Sequence, residues 1–165
     1  MKAERRAVRR GKRCPTTALQ YVHAYKTSLE VFFIWYDKYM NLNPPFDTFR
    51  IEKRAGEYKD FGLPPESTYP LKGVTYPVDY GDIEGFITED KANLDLFVGS
   101  GEYSGYLRVT RPELKDGEHK FYLNLTAEEE KSVLNEFSPV VIDHGRYDSV
   151  LELIEAIEPF RQPSK

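Results

Sequence analysis

Hydrophobic and polar residues alternate through the middle of the chain with the period of two that is typical of β-strands. This alternation predicts four strands, near residues 84–88, 94–98, 104–110 and 119–125. An earlier alternating run at residues 49–53 meets Ala55-Gly56-Glu57 and is predicted to form a hairpin. Residues 62–73 are rich in Pro and Gly, so they are predicted to be a loop.

A helical spacing of apolar residues replaces the alternation after the fourth predicted strand. Thr126 is predicted to cap a helix, with Glu129 completing a capping box. Ser138-Pro139 ends that helix, and residues 140–142 are predicted to be a short buried strand. The buried stripe of the helix is predicted to consist of Val133, Leu134 and Phe137.

A second helix is predicted to begin near Ser149, with Glu152 completing another capping box, and to end at Pro159. Its inward face is predicted to carry Val150, Ile154 and Ile157. Strands in the middle and helices at the C-terminal end together predict an α+β domain, or a small barrel with helices packed on it.

The N-terminal part of the chain has a different composition. Residues 16–45 are dense in aromatic side chains; their apolar spacing fits a helix, whereas residues 31–36 favour a strand, and both interpretations stay open. Residues 1–13 hold seven bases and one acid. We therefore divide the chain into a basic arm at 1–15, an aromatic-rich extension at 16–45 and a domain at 46–165.

Composition and charge exclude several classes of protein. The 165 residues are 40% hydrophobic and 14% aromatic, which is typical of a folded globule and not of a disordered chain. The net charge is −4 although the arm is basic, so the body is markedly acidic and a poor general binder of nucleic acid. The arm is interpreted as a solvated segment, with organelle targeting or a nucleic-acid contact as alternatives.

Cysteine content and hydropathy bear on the cellular compartment of the protein and on its association with membranes. The single cysteine, Cys14, excludes an intramolecular disulfide and favours a reducing, cytoplasmic compartment. No apolar run reaches the roughly 18–20 residues that a membrane span needs, so no membrane association is expected.

Acidic residues are crowded into residues 76–101. Six acids fall within seventeen residues, against the single base Lys91, and the hydrophobic residues between them indicate strand-like, partly buried backbone. Carboxylates held close together repel each other unless a cation lies between them. A turn at residues 91–93 would direct Asp90 and Asp95 into one cavity, and oxygen ligands of this kind suit Mg²⁺.

A second acidic set, made of Glu113, Asp116 and Glu118, precedes Lys120. Carboxylates for a metal ion and a lysine for a phosphate are the usual parts of a phosphoryl-transfer site. The pattern therefore indicates metal-dependent phosphate chemistry. The alternative is a solvent-exposed acidic loop, which is common on soluble proteins.

Two segments of the acidic stretch resemble the signature of soluble family I inorganic pyrophosphatases. Residues 76–85 match a Tyr-Pro-x-x-Tyr-Gly-x-Ile pattern, and residues 89–99 resemble the Asp-Gly-Asp-x-x-Asp run that follows it in those enzymes. The later Glu118-His119-Lys120 is similar to a motif of a shorter branch met in phage-related and toxin-associated proteins. The resemblance covers roughly residues 46–160.

This resemblance implies a five-stranded OB-like β-barrel with C-terminal helices. It also implies a Mg²⁺-dependent hydrolase of diphosphate or another phosphoanhydride, with Mn²⁺ as an alternative ion. The catalytic residues that it implies are Asp95, which helps to position the attacking water, Lys120, which binds phosphate, and Tyr80, which lines the site. The metal ligands that it implies are Asp90, Asp95, Glu113 and Glu118.

The chain departs from the family pattern at the centre of the acidic run, where Ala92 stands in place of the middle aspartate. Alanine cannot bind a metal or orient water, and such clusters act as units, so activity on free diphosphate is expected to be impaired. The alternative function is a catalytically inactive module of the same fold. Its partner would be a protein, a second copy of the chain, or a nucleic acid bound by the basic arm.

Three residues of these motifs have structural interpretations as well. Tyr76 and Tyr80 are equally interpreted as walls of the core whose hydroxyl groups are satisfied. His119 is interpreted as a packing or hydrogen-bonding residue in preference to a base.

Overall fold

The structure is a computed structural model, and it describes residues 42, 44–111 and 114–163, with the backbone alone at 114–116. The predicted basic arm at 1–15 and the extension as far as residue 41 lie outside the described residues, and so does Glu113. No helix in the described part of the chain is long and apolar enough to cross a membrane.

Strands dominate the described residues, and two helices follow them near the C-terminus. The helices are α1 (Ala127–Phe137) and α2 (Val150–Ile157), and short 3₁₀ turns cover Phe46–Thr48 and Glu158–Phe160. The strands are β1 (Phe49–Lys53), β2 (Tyr58–Asp60), β3 (Gly73–Thr75), β4 (Asp79–Ile87), β5 (Asn93–Val98), β6 (Tyr103–Arg111), β7 (Leu114–Leu125) and β8 (Val141–Tyr147).

Six of these strands form one sheet in the order β1-β4-β5-β7-β6-β8, and β2 pairs with β3 in a separate ribbon. Strands β5 and β7 run parallel, and the other neighbours in the sheet are antiparallel. The predicted α+β class is therefore confirmed. Among the described residues no pairing closes the sheet, so the five-stranded OB-like barrel stays a prediction.

The four predicted strands correspond to β4, β5, β6 and β7, although β4 and β7 begin earlier than predicted. The prediction of a hairpin after β1 is wrong about which strand pairs with β1. A turn does form, with the N–H of Glu57 donating to the carbonyl of Arg54 at 3.0 Å, but β1 pairs with β4 instead of β2. Gly81 permits this pairing, because a β-carbon there would lie 1.8 Å from the carbonyl oxygen of Arg50.

The predicted capping box at the start of α1 is confirmed. Thr126 Oγ1 accepts a hydrogen bond from the N–H of Glu129 at 3.1 Å, and Glu129 Oε2 accepts one from the N–H of Thr126 at 2.8 Å. At α2, Ser149 Oγ likewise accepts from the N–H of Glu152 at 3.2 Å, but the Glu152 carboxylate binds the N–H of Asp148. The second predicted capping box is therefore only half formed, because the Glu152 carboxylate accepts from the N–H of Asp148 and not from that of Ser149.

Two predictions about burial near the C-terminus need correction. The strand predicted to be short and buried is β8, which lies at an edge of the sheet, and Ile142 on it is 47% exposed. In α2 the buried residues are Leu153 and Ile157, whereas Val150 in the first turn is exposed. The edge position explains the first error, because β8 has a neighbouring strand on one side, β6.

Helix α1 packs on the sheet through an aromatic contact with β5. Phe137 of α1 meets Phe97 of β5 edge to face, with ring centroids 5.6 Å apart. The buried cluster around this contact also contains Leu71, Val74, Tyr76, Val78, Tyr80, Leu107, Val109, Tyr122, Leu125, Val133 and Val140.

Replacing Thr126 with alanine should lower the free energy of unfolding by about 1 kcal/mol, because the substitution removes the side-chain half of the capping box. Urea titration followed by circular dichroism measures this loss. Thr68→Ala is the control, since Thr68 lies in an exposed loop. Equal stabilities for the two variants would contradict the role of the cap.

Candidate functional site

Three neighbouring strands bring the predicted catalytic residues together. Asp95 of β5 lies beside Lys120 of β7 in the parallel register, and opposite Asp82 of β4 in the antiparallel one. Tyr80 lies two residues before Asp82, and side chains two residues apart point to the same face of a sheet. The hydroxyl of Tyr80 accordingly lies 3.4 Å from Lys120 Nζ.

The ammonium group of Lys120 is buried, with the residue only 6% exposed. It forms a close ion pair with Asp95 and lies 3.1 Å from Glu118 Oε1. A buried charge is strongly destabilising unless it is paired and hydrogen-bonded. Burial alone would lower the pKa of Lys120, but the carboxylates of Asp95 and Glu118 raise it above its ordinary value.

Arg111, the last residue of β6, extends this pairing to the predicted ligand Asp90. Its Nη1 lies 2.9 Å from Asp90 Oδ2, and its Nε lies 2.6 Å from Glu118 Oε2. Acids and bases therefore alternate through five side chains. We call this series the ion-pair chain: Asp90, Arg111, Glu118, Lys120 and Asp95.

The carboxylates of the ion-pair chain differ in their affinity for protons. Burial raises the pKa of Glu118 from 4.5 to about 7, and the charge of Asp95 adds to the effect. Burial also acts to raise the pKa of Asp95, but the ammonium of Lys120 outweighs it and holds that pKa below its usual value. Burial, with the charge of Asp95, raises the pKa of Tyr80. Asp95 is therefore the ionised acid, and Glu118 titrates near neutral pH.

The predicted turn between Asp90 and Asp95 is present, and its hydrogen bonds hold the carboxylate of Asp90 in place. Asp90 Oδ1 accepts hydrogen bonds from Thr88 Oγ1 at 3.0 Å and from the N–H of Ala92 at 2.9 Å. Lys91 has a φ of 66°, a left-handed conformation that closes the turn. Asp90 reaches Asp95 through Arg111, Glu118 and Lys120, and Ala92 is exposed and contributes its backbone alone.

His119 points away from this site, since it alternates with Glu118 and Lys120 along β7. Its Nδ1 lies 2.5 Å from Glu89 Oε1, and its ring stacks against Phe121 with centroids 6.2 Å apart. These contacts agree with the packing and hydrogen-bonding role predicted for it.

A cavity of about 250 Å³ opens beside the ion-pair chain. Its cationic wall is formed by Lys59, Arg111 and Lys120. Its remaining wall is aromatic and aliphatic, made of Phe61, Leu63, Tyr69, Leu71, Tyr76, Tyr80, Val109 and Phe137. Tyr76 and Tyr80 stack on each other with centroids 4.5 Å apart, and both residues belong to the buried cluster and line the cavity.

The residues at the site fit one Mg²⁺ ion better than a cluster. Among the described residues no group of three or more Asp, Glu, His or Cys is arranged to hold a metal ion. However, Asp82 Oδ1 is buried without a hydrogen-bond partner in the described part of the chain, and Asp82 lies directly opposite Asp95. Mg²⁺ is usually held by one or two carboxylates together with the phosphate oxygens of a substrate. Asp82 and Asp95 are the two carboxylates that would hold such an ion.

The structure unites Asp95, Lys120, Tyr80, Glu118 and, through Arg111, Asp90; Glu113 lies outside the described residues. The sequence predictions did not name Arg111, Lys59 or Asp82 as site residues. Alternation could have indicated Arg111, because it continues the inward positions of Leu107 and Val109 along β6.

Comparison of the chain with protein-family models, with curated proteins and with solved structures gave no significant match. The resemblance to pyrophosphatases therefore rests on the motif residues themselves.

The free energy of unfolding should fall as Glu118 ionises. Glu118 binds its proton more tightly in the folded chain than in the unfolded chain, so this carboxyl group disfavours folding progressively from about pH 4.5 to about pH 7. In Glu118→Gln this fall should be absent. Relative to the native chain, the variant should gain up to about 3 kcal/mol across that range.

Urea unfolding at a series of pH values measures the difference between the two proteins. Glu66→Gln, an exposed loop substitution, is the control and should follow the native curve. A constant offset between the native chain and Glu118→Gln across the pH range would contradict the raised pKa.

Proposed function

We propose that the domain binds a phosphoanhydride, of which diphosphate is the simplest, and hydrolyses it slowly as its Mg²⁺ complex. The protein would then be an inorganic pyrophosphatase-like hydrolase. The observation that carries the proposal is the ion pair of Asp95 and Lys120, which adjacent parallel strands hold beside Tyr80 at the wall of the cavity.

The side chains of this site have distinct roles in the proposal. Lys120 and Arg111 bind and neutralise phosphate oxygens, as cations do in phosphoryl-transfer sites. Asp82 and Asp95 would hold the Mg²⁺, which when bound polarises phosphoryl oxygens and acidifies water. The buried carboxylate of Glu118 contacts both Lys120 and Arg111 and holds them in position. Mn²⁺ suits the same oxygen ligands.

The OB-like fold of the sheet is also part of the proposal. Strand β7 inserts between β5 and β6 and runs parallel to β5, so the strands do not follow chain order across the sheet. The OB-fold is a partly open barrel of five strands with such non-sequential connections. The arrangement of β1, β4, β5, β7 and β6 supports an OB-like domain of the pyrophosphatase type.

A second function, a catalytically inactive binding module, is favoured by one observation. The described ligands implied by the resemblance, Asp90, Asp95 and Glu118, are all paired with cations of the same chain, and Ala92 adds no carboxylate. In that case the cavity would bind its phosphoanhydride, or the domain a protein partner, without turnover.

Phosphate release from diphosphate with Mg²⁺ or Mn²⁺ distinguishes the two functions. We expect slow turnover by the native chain and a loss of at least about tenfold in Asp95→Asn, because that carboxylate touches both Lys120 and the metal position. Ala92→Asp should raise the rate, since it restores a carboxylate to the acidic run. Asp148→Asn, an exposed substitution near α2, is the matched control.

Melting curves with and without diphosphate complete the test, because a ligand that binds the folded chain must raise the midpoint. A raised midpoint without phosphate release, in the native chain and in Ala92→Asp, would establish the inactive module. The absence of both turnover and a raised midpoint would overturn the proposed function.

A further inference from the structure

Most of the residues that line the cavity are aromatic or aliphatic, although polar and apolar atoms share its open surface almost equally. Of eleven lining residues, three are cationic, and the others are aromatic or aliphatic. Inorganic diphosphate carries charge over its whole surface, and an apolar wall does not repay the desolvation of a charged group. Cavities lined mainly by apolar side chains with a few polar groups are typical of sites for organic ligands.

One segment supplies much of this apolar wall. Four of the eight aromatic or aliphatic lining residues, at positions 61, 63, 69 and 71, belong to the stretch from β2 to the residue before Lys72. This stretch is held against the sheet by the hydroxyl of Tyr69, which donates to the carbonyl of Thr110 at 2.7 Å. The N–H of Phe61 donates to the carbonyl of Lys72 at 3.0 Å and extends the β2–β3 ribbon. The apolar wall is therefore a built part of the fold.

The apolar wall also leaves surface to be covered. Three of the lining side chains are only half-buried: Phe61, Leu63 and Tyr69. Phe137, which lines the same cavity, is buried. Apolar surface that stays partly open in the free protein gives binding energy to a ligand that covers it. The cationic residues Arg111 and Lys120 of the same cavity are the groups that would hold phosphate oxygens.

We propose that the ligand of this cavity is an organic ester of diphosphate, whose aromatic or aliphatic group lies against Phe61, Leu63 and Phe137. Its phosphates would reach Lys120 and Arg111, and Lys59 at the cavity would add a further cation. This inference rests on the proposed function and names the substrate class. A nucleoside diphosphate belongs to this class, and its base would stack on the aromatic side chains of the cavity.

Calorimetric titration of the full chain with two unhydrolysable analogues tests the inference. Methylenediphosphonate carries the phosphates alone, and α,β-methylene-ADP carries them with an adenosine group. At one Mg²⁺ concentration, the adenosine analogue should bind at least about tenfold more tightly, the effect expected of one stacked base. Geranyl diphosphate is a third arm, and a preference for it over both analogues would support the same class with an aliphatic group.

Variants distinguish the contribution of the apolar wall to binding from that of the cations that bind phosphate. Leu63→Ser should remove the preference for the organic analogue and leave the affinity for methylenediphosphonate unchanged, which also shows that the variant is folded. Leu151→Ser, on the exposed side of α2, is its matched control. Lys59→Ala should lower the affinity for both analogues. Lys72 is an exposed lysine outside the cavity lining, so Lys72→Ala should change neither affinity.

Equal affinities for the inorganic analogue and both organic ligands in the native chain would overturn this inference and leave the proposed function standing. An unchanged preference in Leu63→Ser would also overturn it. Failure of all three ligands to bind would overturn the proposed function itself.

Discussion

The buried ammonium group of Lys120 is the interaction on which the rest of the site depends. A cation at this depth is tolerable only when carboxylates surround it, and Asp95 and Glu118 do so from two strands. The parallel pairing of β5 with β7 places Asp95 beside Lys120, so the sheet topology and the charge balance depend on each other. Loss of Asp95 leaves the buried ammonium of Lys120 without its closest partner, which links the chemistry of the site to the stability of the domain.

The same pairing explains why the proposed ligand carries phosphate and metal together. A phosphate that binds Lys120 and Arg111 competes with the carboxylates that already neutralise them. A cation that binds Asp82 and Asp95 satisfies those carboxylates, including the unpartnered oxygen of Asp82. Each half of a metal–diphosphate complex therefore removes the electrostatic cost of binding the other half.

Local patterns in the sequence predicted the elements well and the long-range pairings poorly. Alternation located the strands, and the spacing of Thr126 and Glu129 located the start of α1, because both signals act between close residues. The pairing of β1 with β4 depends on the close approach at Gly81, which no local pattern shows. Alternation along β6 could have indicated that Arg111 points inward, but its contacts with Asp90 and Glu118 form only after the strands of the sheet have paired.

The most direct measurement of the central claim is a crystal structure of the chain with Mg²⁺ and methylenediphosphonate. The account predicts phosphonate oxygens at Lys120 Nζ and the Arg111 guanidinium, and a Mg²⁺ ion that Asp82 and Asp95 would hold. The carboxylate of Asp95 should then move from Lys120 toward the metal. An analogue bound elsewhere, or a cavity without ligand and an unchanged ion pair of Asp95 with Lys120 at saturating concentration, would contradict the account.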